Sequence, residues 1–99
     1  MTELTTIPSE TSELQDFFEQ NVVIDTKAQY VYIGTLKAVG IFFYDLEEVD
    51  VHDLKESHAN RDLYLIESLK YGIKVNRRRV KVAKQEVVSI SLLEDVVKY

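Results

Sequence analysis

Two stretches, residues 30–39 (YVYIGTLKAV) and 41–51 (IFFYDLEEVDV), are each long enough for a β-strand, and each changes the side on which its apolar residues fall. In the first, Val31 and Ile33 share one parity, whereas Leu36 and Ala38 take the other. In the second, Tyr44 and Leu46 alternate in one phase and Val49 and Val51 in the opposite one, with Glu47-Glu48 at the crossover. Side chains alternate between the two faces of a strand, so a strand that re-phases needs a bulge or a sharp bend. Gly34, without a Cβ, permits such a bend at low steric cost. Two neighbouring long strands that both re-phase suit a small, strongly curved sheet that folds over on itself.

The rest of the chain fits around that pair. Residues 1–8 read as a tail. Ser12 and Gln15 have capping-box spacing, and Leu14, Phe17 and Phe18 follow at helical spacing, so residues 13–20 are expected to form a short amphipathic helix. Val22-Val23-Ile24 is a short β-branched run, and Gly40 marks the turn between the two long strands. Residues 52–60 are polar and loop-like. Over residues 61–71, Leu65, Ile66 and Leu69 form a helical stripe bounded by Asn60 and Gly72, although the alternation in DLYLIE also allows a strand. Helix is the preferred reading. β character returns at Val80 and Val82 and again at Val88, Ile90 and Leu92, and Ser91 with Glu94 has the spacing of a second capping box.

Ninety-nine residues correspond to one domain, expected to span 1–99. The absence of cysteine excludes disulfides and thiolate metal sites. No apolar run approaches the roughly 20 residues of a membrane-spanning helix, and the polar N-terminus is unlike a secretory signal. A cytoplasmic protein with no membrane partner is therefore expected. The net charge of −5 conceals a division: residues 1–56 carry three Lys/Arg against twelve Asp/Glu, and residues 57–99 carry nine against five. Such asymmetry suits halves that meet different partners, or each other across a subunit boundary.

A short helix followed by five strands, the second and third long and bent, resembles the Sm-like family. Residues 22–51 resemble its first motif in length, in Gly34 and Leu36, and in the acidic end at Glu47, Glu48 and Asp50; residues 80–93 are similar to the two strands of its second motif. The resemblance implies a mainly β fold: a small, strongly bent five-stranded barrel with an N-terminal helix. It places first-motif strands at 22–51, an enlarged connection between strands three and four at 52–76, and second-motif strands at 77–93. It also implies a homo-oligomer, with the fourth strand of one copy pairing with the fifth of the next, and single-stranded RNA held in a pore by the two turns. This chain departs from the family at those turns. The Asp position of the first is Gly40, Met-Asn becomes Phe43-Tyr44, and Arg-Gly of the second becomes Ala83-Lys84. The polar base readers are absent, while Phe42 keeps a ring at the stacking position.

From the residues themselves, the nucleic-acid candidates are Phe42, Tyr44, Arg77, Arg79, Lys81 and Lys84. In an extended strand Arg77, Arg79 and Lys81 form a row of cations, and rings nearby (Tyr71 among them) would stack on bases while cations meet phosphates. The bland alternative is a solvated face, or one neutralised by the acidic third strand. Of Phe42 and Phe43, one is expected in the core, since consecutive strand residues face opposite ways. His52, Asp53 and His58, with Asp50 nearby, match no established metal-ligand spacing. No nucleophile–base arrangement and no phosphate-binding glycine loop is present, so neither an enzyme nor a cofactor is expected. The expectation is a non-enzymatic Sm-like binding module for RNA; the alternative is a protein-interaction or assembly module that retains the barrel.

Overall fold

The computed structural model describes residues 13–56 and 60–98. Five strands, β1 (Asn21–Thr26), β2 (Tyr30–Val39), β3 (Phe43–Asp53), β4 (Arg77–Ala83) and β5 (Val87–Leu92), form one antiparallel sheet of order β4-β3-β2-β1-β5. Helix α1 (Arg61–Tyr71) lies in the connection between β3 and β4. The two edge strands are consecutive in sequence, joined by a 3-10 turn at Lys84–Glu86. A link from Ala83 to Val87 reaches at most about 14 Å, whereas four strand spacings in a flat sheet span about 19 Å. The sheet must therefore curl, and its interior becomes the core. This is the strongly curved sheet that the alternation implied and the five-stranded barrel that the resemblance implied.

Bulges allow the curl. The β2–β3 register shifts twice, between Ile33 and Thr35 and between Leu36 and Ala38. At the first shift the extra residue lies in β3, where Glu48 takes a left-handed φ of 52°. This is the crossover at Glu47-Glu48, and it lets Tyr44, Leu46, Val49 and Val51 all pack on one interior cluster. Gly34 lies opposite. A Cβ there would sit 2.9 Å from Val49 Cγ2 and 3.1 Å from the Glu47 carbonyl oxygen, so the glycine permits the close approach of the bulge. The expectation that Gly34 bends its own strand is corrected: the extra residue of β2 is Lys37, after which Val39, and not exposed Ala38, turns inward.

The parity change in β2 has a second cause. Tyr32 and Leu36 face the interior with Val22, Ile24, Leu46 and Val82, while Val31 and Ile33 face outward into a separate cluster beneath α1. That outer cluster also holds Val23, Tyr64, Leu65 and Leu93. The run Val22-Val23-Ile24 is continuously apolar because β1 is buried on both faces.

Helix α1 has the expected limits. Asn60 Oδ1 accepts the Leu63 amide at 2.8 Å, and Gly72, at φ 97°, closes the helix by donating its amide to the Ser68 carbonyl at 2.9 Å. The helix reading of 61–71 holds. The expected helix at 13–20 is corrected: Gln15–Phe17 make a 3-10 turn and Phe18 is already extended. Glu19, at φ 65°, donates its amide to the Leu36 carbonyl, and docking on β2 prevails over local helical preference. Ser12 lies outside the described residues. Phe17 and Phe18 still pack on the interior cluster. Ser91 caps nothing; it belongs to β5, and Leu93–Asp95 form a 3-10 turn without a side-chain cap.

Candidate nucleic-acid interface

One end of the barrel gathers the turn between β2 and β3 and the turn after β4. Gly40 donates its amide to the Phe43 carbonyl at 2.9 Å, and Lys84 donates its amide to the Phe42 carbonyl at 2.9 Å, tying the two turns together. Ile41 and Phe42 are 83% and 73% exposed. Phe43 is 43% exposed, so neither phenylalanine is a core residue. The strand begins only at Phe43, at the open mouth of the barrel, and Tyr44 packs on the interior cluster instead. The Lys84 ammonium lies 5.4 Å from the Tyr44 ring centroid. Ile41, Phe42, Phe43, Ala83, Lys84 and Gln85 line a shallow recess of about 420 Å³. Chemically this is an apolar ledge with a cation and an amide beside it, able to stack planar groups and meet an anion.

The basic row lies elsewhere. On β4, Lys81 pairs with Asp45, Arg79 with Glu47 and Arg77 with Val49. Lys81 Nζ donates to Asp45 Oδ1 at 2.8 Å, and Arg77 Nη1 donates to the Asn76 carbonyl at 2.9 Å. The cations therefore run alongside the acidic residues of β3, and the row is partly neutralised. The structure brings Phe42, Tyr44 and Lys84 together and sets Arg77, Arg79 and Lys81 along a strand leading away from them.

Behind the sheet is a larger cleft, about 620 Å³, that sequence reasoning missed as a unit. Asp50 and His52 project from the outer face of β3, since they pair with Ile33 and Val31. The Tyr64 hydroxyl donates to Asp50 Oδ2 at 2.7 Å, and Asn76 Nδ2 donates to Asp50 Oδ1 at 3.1 Å. Burial, and then the hydrogen bond to Asp50, hold the Tyr64 phenol far above the ordinary tyrosine range, so it stays protonated. The His52 ring stacks on Tyr64 with centroids 3.6 Å apart. Asn76 also behaves as a surrogate strand residue: its side-chain oxygen accepts the Val51 amide at 3.0 Å and its Nδ2 donates to the Val51 carbonyl at 3.1 Å. The signal available in the sequence was the alternation of Asp50 and His52 with Val49 and Val51. Among the described residues no group of three or more acidic or histidine side chains converges on a metal position, and His58 lies outside them.

Comparison with solved structures decides the architecture. A Pyrococcus abyssii Sm protein, solved in complex with a uridine heptamer, superposes with a TM-score of 0.58 at 12% identity, covering 86% of this chain and 99% of that one. The P. aerophilum SmAP1 heptamer gives 0.53 at 15% identity, covering 88% of this chain and 96% of that one. The fold is Sm-like. A chain of the NatC complex bound to CoA shares it, at TM-score 0.54 and 17% identity, over 85% of this chain and 94% of that one. No family model matches the sequence, and no curated protein does. The Sm-like fold is thus carried here by a sequence with 12–17% identity to these structures. Among the described residues, no helix is long and apolar enough to cross a membrane.

Proposed function

We propose that this chain is a non-enzymatic Sm-like binding module that assembles with copies of itself through the free edges of β4 and β5 and binds single-stranded RNA at the turn end of the barrel. The observation that carries the reading is the ledge itself: two turns joined by the Lys84–Phe42 hydrogen bond, with Phe42 exposed and a lysine beside it. In this reading Phe42 stacks on a base, Lys84 and Tyr44 flank it, and Arg77, Arg79 and Lys81 add longer-range attraction along β4. The likeness to an Sm protein solved with a uridine heptamer supports the same ligand class. Among the described residues each edge strand is paired on one side only, which supports assembly by strand pairing.

Fluorescence anisotropy with labelled uridine- and adenine-rich heptamers at two salt concentrations tests it, alongside light scattering for oligomeric state. Binding is expected to weaken steeply with salt, and Phe42→Ala to weaken it about tenfold, the scale of one stacked base. Absent or salt-insensitive binding to both oligonucleotides overturns the RNA reading. The second reading, a protein-assembly module, is favoured by the ion pairing of the basic strand and by the likeness to a chain of a multi-subunit complex. It gains if the protein forms a salt-dependent oligomer that carries no nucleic acid.

A further inference from the structure

The cleft behind the sheet takes no part in the RNA reading, and its chemistry is lopsided. Its buried donors are already committed within the protein: Tyr64 Oη donates to Asp50, Asn76 Nδ2 to Asp50 and to the Val51 carbonyl, and Ser68 Oγ to the Tyr64 carbonyl. What the lining offers a visitor is mainly acceptors: the Glu67 carboxylate, the remaining lone pairs of Asp50 and Ser68, and His52. His52 Nε2 is buried with no hydrogen-bond partner among the described residues. With the ring proton on Nδ1 it is one more acceptor, and an orphaned buried polar atom invites a partner. Lys74 supplies a cation at the cleft.

The lining also has an aromatic side. Tyr71, 78% exposed, stands two turns after Tyr64, on the same side of α1, so its ring is available for stacking in the cleft that the Tyr64–His52 pair also lines. The volume, about 620 Å³, falls within the roughly 300–1,000 Å³ of small-molecule sites. A ligand that matches this inventory is planar, rich in N–H donors and anionic at one end.

We propose that the cleft binds an amino-substituted planar heteroaromatic ring bearing a phosphate, the chemistry of an adenine nucleotide. Tyr71 stacks on the ring, Glu67 and His52 accept its N–H groups, and Lys74 meets the phosphate. A uracil ring is a poor match, because it presents carbonyl acceptors where adenine presents an amino group, and the buried donors here are already engaged. The residues are distinct from Phe42, Tyr44 and Lys84, so the proposal stands apart from the RNA reading.

The test is titration of the full chain, followed by amide NMR shifts, with AMP, adenosine and UMP to millimolar concentration, and with an oligoadenylate. AMP is expected to bind saturably, at least about tenfold tighter than UMP, and to shift amides of residues 50–52, 64–71 and 74–76. Tyr71→Ala and Glu67→Gln are each expected to weaken AMP about tenfold without changing thermal unfolding, since both side chains are exposed. Phe42→Ala should leave AMP binding intact. Comparable affinity for AMP and oligoadenylate identifies a free nucleotide as the ligand; much tighter, Tyr71-dependent binding of the oligoadenylate identifies a base within RNA, through the same ring chemistry. Absence of saturable AMP binding, equal binding of UMP, or indifference to both Tyr71→Ala and Glu67→Gln overturns the proposal.

Discussion

The two layers on either side of β1 and β2 are built to different rules. Inside the barrel, Val22, Ile24, Leu36, Leu46, Val49 and Val82 make an aliphatic core. Beneath α1, Val23, Val31, Ile33, Leu65 and Leu93 share their layer with Tyr64, whose hydroxyl anchors the Asp50–Asn76 network beside it. Apolar packing is tolerant of sequence provided volume is kept. A buried carboxylate is not tolerant, because each of its oxygens needs a donor. The inner layer therefore defines the scaffold, and the outer layer is where this chain has a specific polar construction.

Three substitutions test that contrast. The largest effect is expected in the inner layer from Gly34→Val, which forces side-chain carbon against Val49 Cγ2 and the Glu47 carbonyl. Overpacking against backbone should cost about 3 kcal/mol or more, read by urea unfolding; an unchanged midpoint would show that β3 does not need its close approach. In the outer layer, Tyr64→Phe keeps the ring and removes one donor from Asp50, and should cost about 1–3 kcal/mol. It should also change the alkaline limb. An unfolded tyrosine releases its proton near pH 10, whereas folded Tyr64 retains it well above that. The native state thus binds more protons at high pH, and stability present below about pH 10 is lost as pH rises further. Tyr64→Phe should flatten that loss, leaving the smaller contribution of Tyr32, whose phenol is also raised, by burial and then by Tyr30 and Glu86. An alkaline limb identical in both proteins would mean that the network does not hold the proton. The smallest effect is expected outside both layers. Lys81→Ala breaks an exposed pair with Asp45, worth at most about 1 kcal/mol and less at high salt.

Much of this scaffold could be read from residue order alone. The phase change at Glu47-Glu48 located a bulge, because only an extra residue lets Leu46 and Val49 share a face. Asn60 and Gly72 bounded α1, because their local chemistry is sufficient to start and stop a helix. Other features were hidden because alternation records which residues are buried, and not beneath what. Val31 and Ile33 gave the pattern of a re-phased strand, yet they lie under α1 while Tyr32 faces the barrel. The Lys37 bulge left no mark, since Ala38 and Val39, the two residues after it, are both apolar. Of the candidate site, Phe42 and Lys84 were legible as ring and cation. Their separation from Arg77 and Arg79 depends on the β3–β4 register, and the Asp50–Tyr64–Asn76 network joins three segments with no common local pattern.

The position of β1 between β2 and β5 sets an order of events for a nascent chain. One of its partners, β2, begins at Tyr30 and emerges at once; the other, β5, begins at Val87. Until β5 emerges, β1 therefore carries an unpaired edge and two apolar faces, of which α1 covers only the outer one. Leu93, which completes that outer layer, emerges later still. Truncation within β5 would strip β1 of its second partner and leave both layers open together, so β5 acts as the latch for β1.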